Sequence, residues 1–487
     1  MRKILILAIV LFLTGCSIIP DDFYAPEDVI QIKEIEEEPP EEEEAEDIPP
    51  EVPSKPEIYI EPMPAAERLW NILVYMPADN NLESAAIEDL SEMEMSLLNT
   101  DSVSVFVLLD RSELYDTSNG NWSGTKLYRL KTQKRNNEKY IFSEELECKK
   151  LGLCPGENVE LDMSSQYVLE DVYSYVNERY PAVYSGLVMW GHGTGWRSYA
   201  EAAPTNIVTE ITKGMAYDET SRTYMSLRQF GNVLERLSKT KKLDFVGFDT
   251  CFGAELEVAY ELRNYVKYFA GSEGLLLSSG WNYKLLFDSF QNSIDKTPES
   301  FCRILIEGFK EWYATATSAS FCVLDAEKVE VYFQNFEDYM KAVSEKITDR
   351  TVRDDLLRII YTDPMSGVEK YTFGTQNSDI YLDIHSLVKE LQNYFKNDTP
   401  IKAAAEKIAF SEQEMILDSW NSFGTDGSLG IYFQTLAAGD LLSAVHPAAY
   451  IKGRTSEQIS FVLDSNWYVP DSKSENSFLE KLFYKKF

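Results

Sequence analysis

Leu243–Gly253 reads LDFVGFDTCFG. Its apolar run, Phe245 to Phe248, stops at Asp249-Thr250-Cys251, and a helical pattern resumes from Ala254. That pattern is a buried strand feeding into a helix, with a cysteine at the junction. A thiol placed there faces the unpaired N–H groups and positive end of the helix, which lower its pKa toward a reactive thiolate. An inert, buried cysteine is the competing reading. What shifts the balance is Ser185–Trp196, SGLVMWGHGTGW, where a second apolar run stops at Gly191 and His192 follows between glycines. Two neighbouring parallel strands ending in His and Cys would set a base and a nucleophile at one rim of a sheet.

The 487 residues are enough for two or three domains with a sizeable core. The formal charge of −34 leaves no surplus of cations to neutralise phosphates, which argues against nucleic acid as a partner. The charge is uneven. Residues 17–66 hold 17 acidic and 2 basic residues, with ten of the nineteen prolines. Such a stretch cannot bury enough apolar surface to offset its ordering entropy, so 16–66 reads as an extended acidic tether. Ahead of it, Arg2-Lys3 precede the apolar run Ile4–Leu13, too short to span a membrane in the mature protein. With Leu13-Thr14-Gly15-Cys16 it resembles a bacterial lipoprotein signal, so 1–15 is expected to be removed and Cys16 to carry lipid. The expected location is the cell envelope, outside the cytoplasm, with the membrane reached through that anchor.

From Trp70 the chain alternates strands and helices. Trp70–Met76 and Val103–Leu109 read as buried strands, with Asn80-Asn81 offering a helix cap between them. Gly124–Phe142 reads as a hairpin excursion. Cys148 and Cys154 suggest a small disulfide loop in an exported chain, with pairing undecided. A helix over Ser165–Arg179 precedes the His192 strand, and Arg197–Thr223 shows no periodicity, the mark of a functional or mobile loop. Ser226 and Gln229 form a capping-box pattern. After Cys251 a helix is expected to carry Leu256, Ala259, Leu262 and Val266 inward, followed by a strand over Tyr268–Glu273. Further on, Ser320–Leu324 and Leu429–Phe433 read as strands, Val329–Ile347 and Pro400–Trp420 as helices. The expectation is an α/β fold: a mostly parallel sheet flanked by helices over 67–325, with a C-terminal helical and mixed subdomain over 326–487 completing it. In such sheets the site lies beyond the carboxyl ends of the strands.

Attack of a cysteine on an amide needs a thiolate, a base that later protonates the leaving amine, and donors for the oxyanion. Cys251 and His192 fit the first two roles, and the Gly193 and Cys251 N–H groups the third. Asp249, two residues before the cysteine, shares its side of the sheet. It is either an N-cap of the following helix or an acid that receives a cationic side chain. His385 and His446 read as structural or surface residues. No Cys or His pair has metal-ligand spacing and no G-x-S-x-G is present, so neither a metal centre nor a serine nucleophile is expected.

LVMWGHGTGW, FVGFDTCFGAELEVAYELRN and AGSEGLLLSSGWNY resemble the clostripain family of cysteine peptidases, of the caspase-like clan. WNILVYMPADNNLE, GMAYDETS, DIYLDIHSLV and GSLGIYFQ extend the likeness over roughly residues 70–470. The resemblance implies a caspase-like fold and an endopeptidase cutting after Arg or Lys in protein or peptide substrates. It implies His192 and Cys251 as the dyad and Asp249 as the acid for the basic P1 residue. Leu275–Ser279 departs from the family, where a proline often precedes the Gly-Trp. Some family members cut themselves between the His and the Cys; here Lys213, followed by Gly214, is the favoured position over Arg197 and Arg222. Some members depend on calcium, which no motif here decides, so no cofactor is assigned. The rival reading is an idle surface lipoprotein that uses the same fold for binding.

Overall fold

Among the described residues of the computed structural model, fourteen strands form. In chain order the first seven are β1 (Trp70–Ala78), β2 (Val103–Arg111), β3 (Gly124–Arg129), β4 (Glu144–Leu146), β5 (Tyr184–Trp190), β6 (Met215–Asp218) and β7 (Thr223–Met225). They continue with β8 (Leu243–Asp249), β9 (Val266–Gly271), β10 (Ser320–Asp325), β11 (Lys370–Phe373), β12 (Asp379–Asp383), β13 (Ile416–Asn421) and β14 (Gly430–Gln434). The structure describes residues 68–134, 140–196, 215–316, 319–361, 365–373, 379–422, 424, 429–434, 459–465, 467 and 478–483.

Nine strands share one sheet in the order β13-β10-β9-β8-β5-β1-β2-β3-β4. Its centre, β9-β8-β5-β1-β2, is parallel, and antiparallel strands finish both edges. The central strands are mostly apolar because both faces are covered. Along β1, Leu73 and Tyr75 face one core, shared with α2 (Gln166–Arg179), α3 (Leu227–Leu237) and α4 (Leu256–Leu262). Ile72, Val74 and Met76 face the other, shared with α1 (Glu83–Glu94), α5 (Tyr283–Asn292) and α6 (Pro298–Trp312). A capping box starts α3 as its sequence indicates: Ser226 Oγ accepts from Gln229 N, and Gln229 Oε1 from Ser226 N. The mixed α/β sheet with helices on both faces is the expected class.

Several local expectations fail, each for a tertiary reason. The helix after Cys251 begins only at Leu256 and ends at Leu262; Val266 opens β9 instead of extending the helix. The helix predicted over Pro400–Trp420 stops at Met415, and Ile416–Asn421 pairs with β10 as the outermost strand. Its alternating side chains continue a helical apolar pattern for a few residues, so periodicity alone does not find the break. Gly124–Phe142 is no separate hairpin, because β3 pairs with both β2 and β4 in the main sheet. Within Arg197–Thr223, β6 pairs with β7 across a turn that holds Arg222. No disulfide joins Cys148 and Cys154. Backbone bonds between Cys148 and Leu153 close that loop instead. Cys16, Arg197, Lys213 and His446 lie outside the described residues.

Candidate active site

Parallel register brings the two motifs together. Trp190, the last residue of β5, pairs with Asp249, the last residue of β8. His192 and Cys251 each stand two residues beyond that pair, at matched height on neighbouring strand ends. Gly191 N donates to Asp249 O (3.1 Å), fastening the two exits to each other. The fit at Gly193 is tighter still: a Cβ there would stand 2.6 Å from Cys251 O and 2.7 Å from Thr250 Cβ and Oγ1. Only glycine allows so close an approach without displacing the Cys251 backbone.

The helix-dipole expectation for Cys251 does not hold, since α4 starts five residues later. A different donor serves the sulfur: Leu276 N–H lies 3.3 Å from Cys251 Sγ. The 272–276 segment is strapped across the cysteine by Phe252 N to Gly274 O (2.9 Å) and Ala254 N to Ser272 O (2.8 Å).

His192 Nε2 faces Asn81 Oδ1 at 2.9 Å. An amide oxygen only accepts, so with Asn81 turned this way Nε2 is the nitrogen that carries a proton. The sequence offers Asn80-Asn81 as a helix cap. Asn80 does bond locally, to Leu82 N and Pro77 O, whereas Asn81 turns to the histidine. Asn81→Ala is therefore expected to lower kcat about ten- to hundredfold with KM nearly unchanged. That loss is smaller than the roughly 10²–10⁴-fold a general base contributes. A steady-state split of kcat and KM checks it; equal loss through KM would mean Asn81 shapes binding instead.

Asp249 does not cap α4. Its carboxylate accepts from Trp281 N (3.1 and 3.3 Å) and Tyr283 Oη (2.8 Å). It is 3% exposed, and a Cβ at Gly280 would stand 3.0 Å from both of its oxygens. Burial pushes its pKa up to about 7, against the Tyr283 and Trp281 donors and with help from the Glu92 charge. Beyond it lies Asp89, which accepts from Trp190 Nε1 (2.7 Å). Burial, and then the charge of Asp249, hold Asp89 well above the usual carboxylate range. No described lysine or arginine forms an ion pair with either acid.

The clostripain family model matches residues 74–457. The chain belongs to the clostripain family. It is thus a cysteine peptidase, as the sequence motifs imply. Clostripain of Hathewaya histolytica is 22% identical over 387 residues, 72% of this chain and 70% of that one. The inactive zymogen C11 protease of Parabacteroides distasonis is 18% identical, with 75% of this chain and 92% of that chain covered and a TM-score of 0.51. A secreted C11 cysteine protease of Bacteroides thetaiotaomicron gives 14%, 76%, 94% and 0.51 for the same quantities. At these identities the two solved structures speak for the fold.

His385, in the C-terminal part of the family match, takes no place at this rim. Its Nδ1 lies 2.9 Å from Glu412 Oε2, a structural contact between α9 (Ile384–Tyr394) and α10 (Thr399–Met415), as the sequence reading expects.

Proposed function

We propose that this family member is a lipid-anchored extracytoplasmic endopeptidase that cuts after Arg or Lys, with Cys251 as nucleophile and His192 as base. The observation that carries the reading is the Trp190–Asp249 register, which leaves His192 and Cys251 at equal height with a counterion-poor acid two residues before the cysteine. In this reading His192 takes the Cys251 thiol proton, and the thiolate attacks the scissile carbonyl carbon. The Gly193 and Cys251 N–H groups receive the oxyanion, and His192 hands its proton to the leaving amine. Water, deprotonated by His192, then releases the acyl group from sulfur. The Leu276 N–H beside Sγ favours the thiolate before substrate arrives.

Buried Asp249 gains from a cation, since pairing would neutralise a carboxylate that burial and its acidic neighbours disfavour. Because Gly280 abuts the carboxylate, a P1 side chain reaches it only when Leu275–Gly280 shifts. Leu275 and Leu277, both about half exposed, leave that segment little packing to hold it. A second reading has its own support: the bonds to Trp281 N and Tyr283 Oη make Asp249 an anchor of the 280–283 segment. The anchor and the cation-binding acid differ in what Asp249→Asn changes.

The lipid anchor at Cys16 and self-cleavage after Lys213 rest on sequence alone. The secreted C11 relative favours an extracytoplasmic site. No helix among the described residues is long and apolar enough to cross a membrane. One experiment addresses the specificity and the self-cleavage: incubate the chain with Arg- and Asp-chloromethyl ketones and record denatured intact masses. The expected result is an Arg-reagent adduct on the piece holding Cys251, with the chain divided after Lys213. Labelling by the Asp reagent instead would reject the P1 assignment, and an uncut but fully labelled chain would reject self-cleavage.

A further inference from the structure

The residue after Cys251 holds a backbone conformation that its side chain disfavours. Phe252 has a φ of 54°, in the left-handed region, where a bulky residue is an outlier. Such a conformation persists only where the surrounding structure over-determines it. Here the backbone is tied on both sides: Phe252 N donates to Gly274 O, and Ala254 O accepts from Gly430 N (2.9 Å). Between those ties the Phe252 ring is fully buried and packs on Tyr381, with the ring centroids 4.4 Å apart.

Tyr381 stands at the middle of β12, flanked by β11 and β14 in a separate three-stranded sheet. It too is fully buried. Its hydroxyl donates to Thr194 O (3.2 Å), two residues beyond His192. One side chain therefore meets both strand exits, with its ring on the residue after Cys251 and its hydroxyl on the loop after His192. A longer aromatic route joins the same two places. The Tyr381 ring lies 5.6 Å from that of Tyr432, and Tyr432 lies 5.7 Å from Trp196, further along the His192 loop.

We infer that Tyr381 is a positioning residue for peptide cleavage, its ring keeping Phe252 in the left-handed turn and its hydroxyl keeping Thr194 in place. The inference rests on the proposed dyad of His192 and Cys251. Without the ring contact, Phe252 has less to hold it in a disfavoured region, and rotation of its backbone swings the neighbouring cysteine. Without the hydroxyl, the buried Thr194 carbonyl loses a donor, and the loop that carries His192 is freer to shift. Small shifts matter, because a misplacement of about 1 Å can cost on the order of 10²-fold in rate. Tyr381 is itself buried away from solvent, so its effect belongs in kcat and not in KM. The small sheet of β11, β12 and β14 is then part of the catalytic geometry and more than a cover for the nucleophile loop.

The test compares the full chain with its Tyr381→Phe, Tyr381→Leu and Cys251→Ala variants, assayed below the melting temperature of each. Tyr381→Phe keeps the ring contact and drops only the hydroxyl, so kcat is expected to fall about three- to tenfold, the scale of one hydrogen bond. Tyr381→Leu drops both contacts and is expected to lower kcat about a hundredfold. KM should stay near the parent value in both. Alkylation of Cys251 by iodoacetamide, followed by mass against pH, adds a readout that a merely structural tyrosine would leave alone. Its midpoint should rise in Tyr381→Leu, because a misplaced imidazole steadies the thiolate less. Parent-level kcat in both variants would overturn the inference, as would a loss confined to KM or an unmoved alkylation midpoint. If Tyr381→Leu does not fold, Tyr381→Phe decides alone, and parent-level kcat in it overturns the inference. Turnover that persists in Cys251→Ala would instead mark the failure of the dyad itself, so the two failures are told apart.

Discussion

Cys251→Ala and His192→Ala are each expected to lower peptide turnover by on the order of 10⁴-fold or more, because nucleophile and base act as one unit. For the same reason the double variant should be little worse than either single one. The fold should survive both changes. Both side chains are only part-buried, at the strand exits outside the two cores. Cys251→Ala removes the contacts of Sγ with Leu276 N–H and Leu276 O, each worth about 1 kcal/mol as a hydrogen bond. Peptide hydrolysis measured beside thermal melting checks this. Turnover near the parent level in Cys251→Ala would end the dyad reading, and an unfolded variant would show that the cysteine is structural.

How legible this site was depends on the range of the interactions that build it. β5 and β8 were readable because a strand buried on both faces is a near-continuous apolar run, and GLVMW and FVGF are such runs. The pairing of His192 with Cys251 followed from parallel topology alone. The donor to Cys251 Sγ was not readable, because a helix start and a strap such as 272–276 leave the same short glycine-bearing signature. Asn81 was hidden by its own versatility. An asparagine after a strand is a favoured cap, and only the folded chain shows it reaching His192. β13 was lost because Ile416–Trp420 keeps a helical apolar pattern, and only β10 beside it decides for strand.

Asp249→Asn is expected to divide the two remaining readings of the pocket. If the carboxylate receives the P1 cation, its loss strands that charge at a cost of about 2–5 kcal/mol. With each 1.36 kcal/mol worth about tenfold, kcat/KM for Arg and Lys substrates should fall roughly thirtyfold to a few thousandfold. Substrates with a neutral P1 residue should hardly change. The pH dependence sharpens the test. With Asp249 at about 7 in the free enzyme, the acid is neutral below that pH and charged above it. Cleavage after Arg should therefore gain, as pH rises through about 7, relative to cleavage after a neutral residue, and Asp249→Asn should abolish that difference. Stability runs the other way. A carboxyl whose folded pKa is raised above its unfolded value keeps its proton better in the folded chain, so it costs stability as pH climbs from about 4 to about 7. Asp249→Asn removes that slope, and above pH 7 it should melt no lower than the parent. If Asp249 serves instead to hold Trp281 N and Tyr283 Oη, the variant loses part of that clamp. The melting temperature then drops at every pH while the preference for Arg and Lys stays as it was. Peptide-library profiling of both proteins at two pH values, with melts at the same values, decides between an acid that reads the substrate and one that holds a loop.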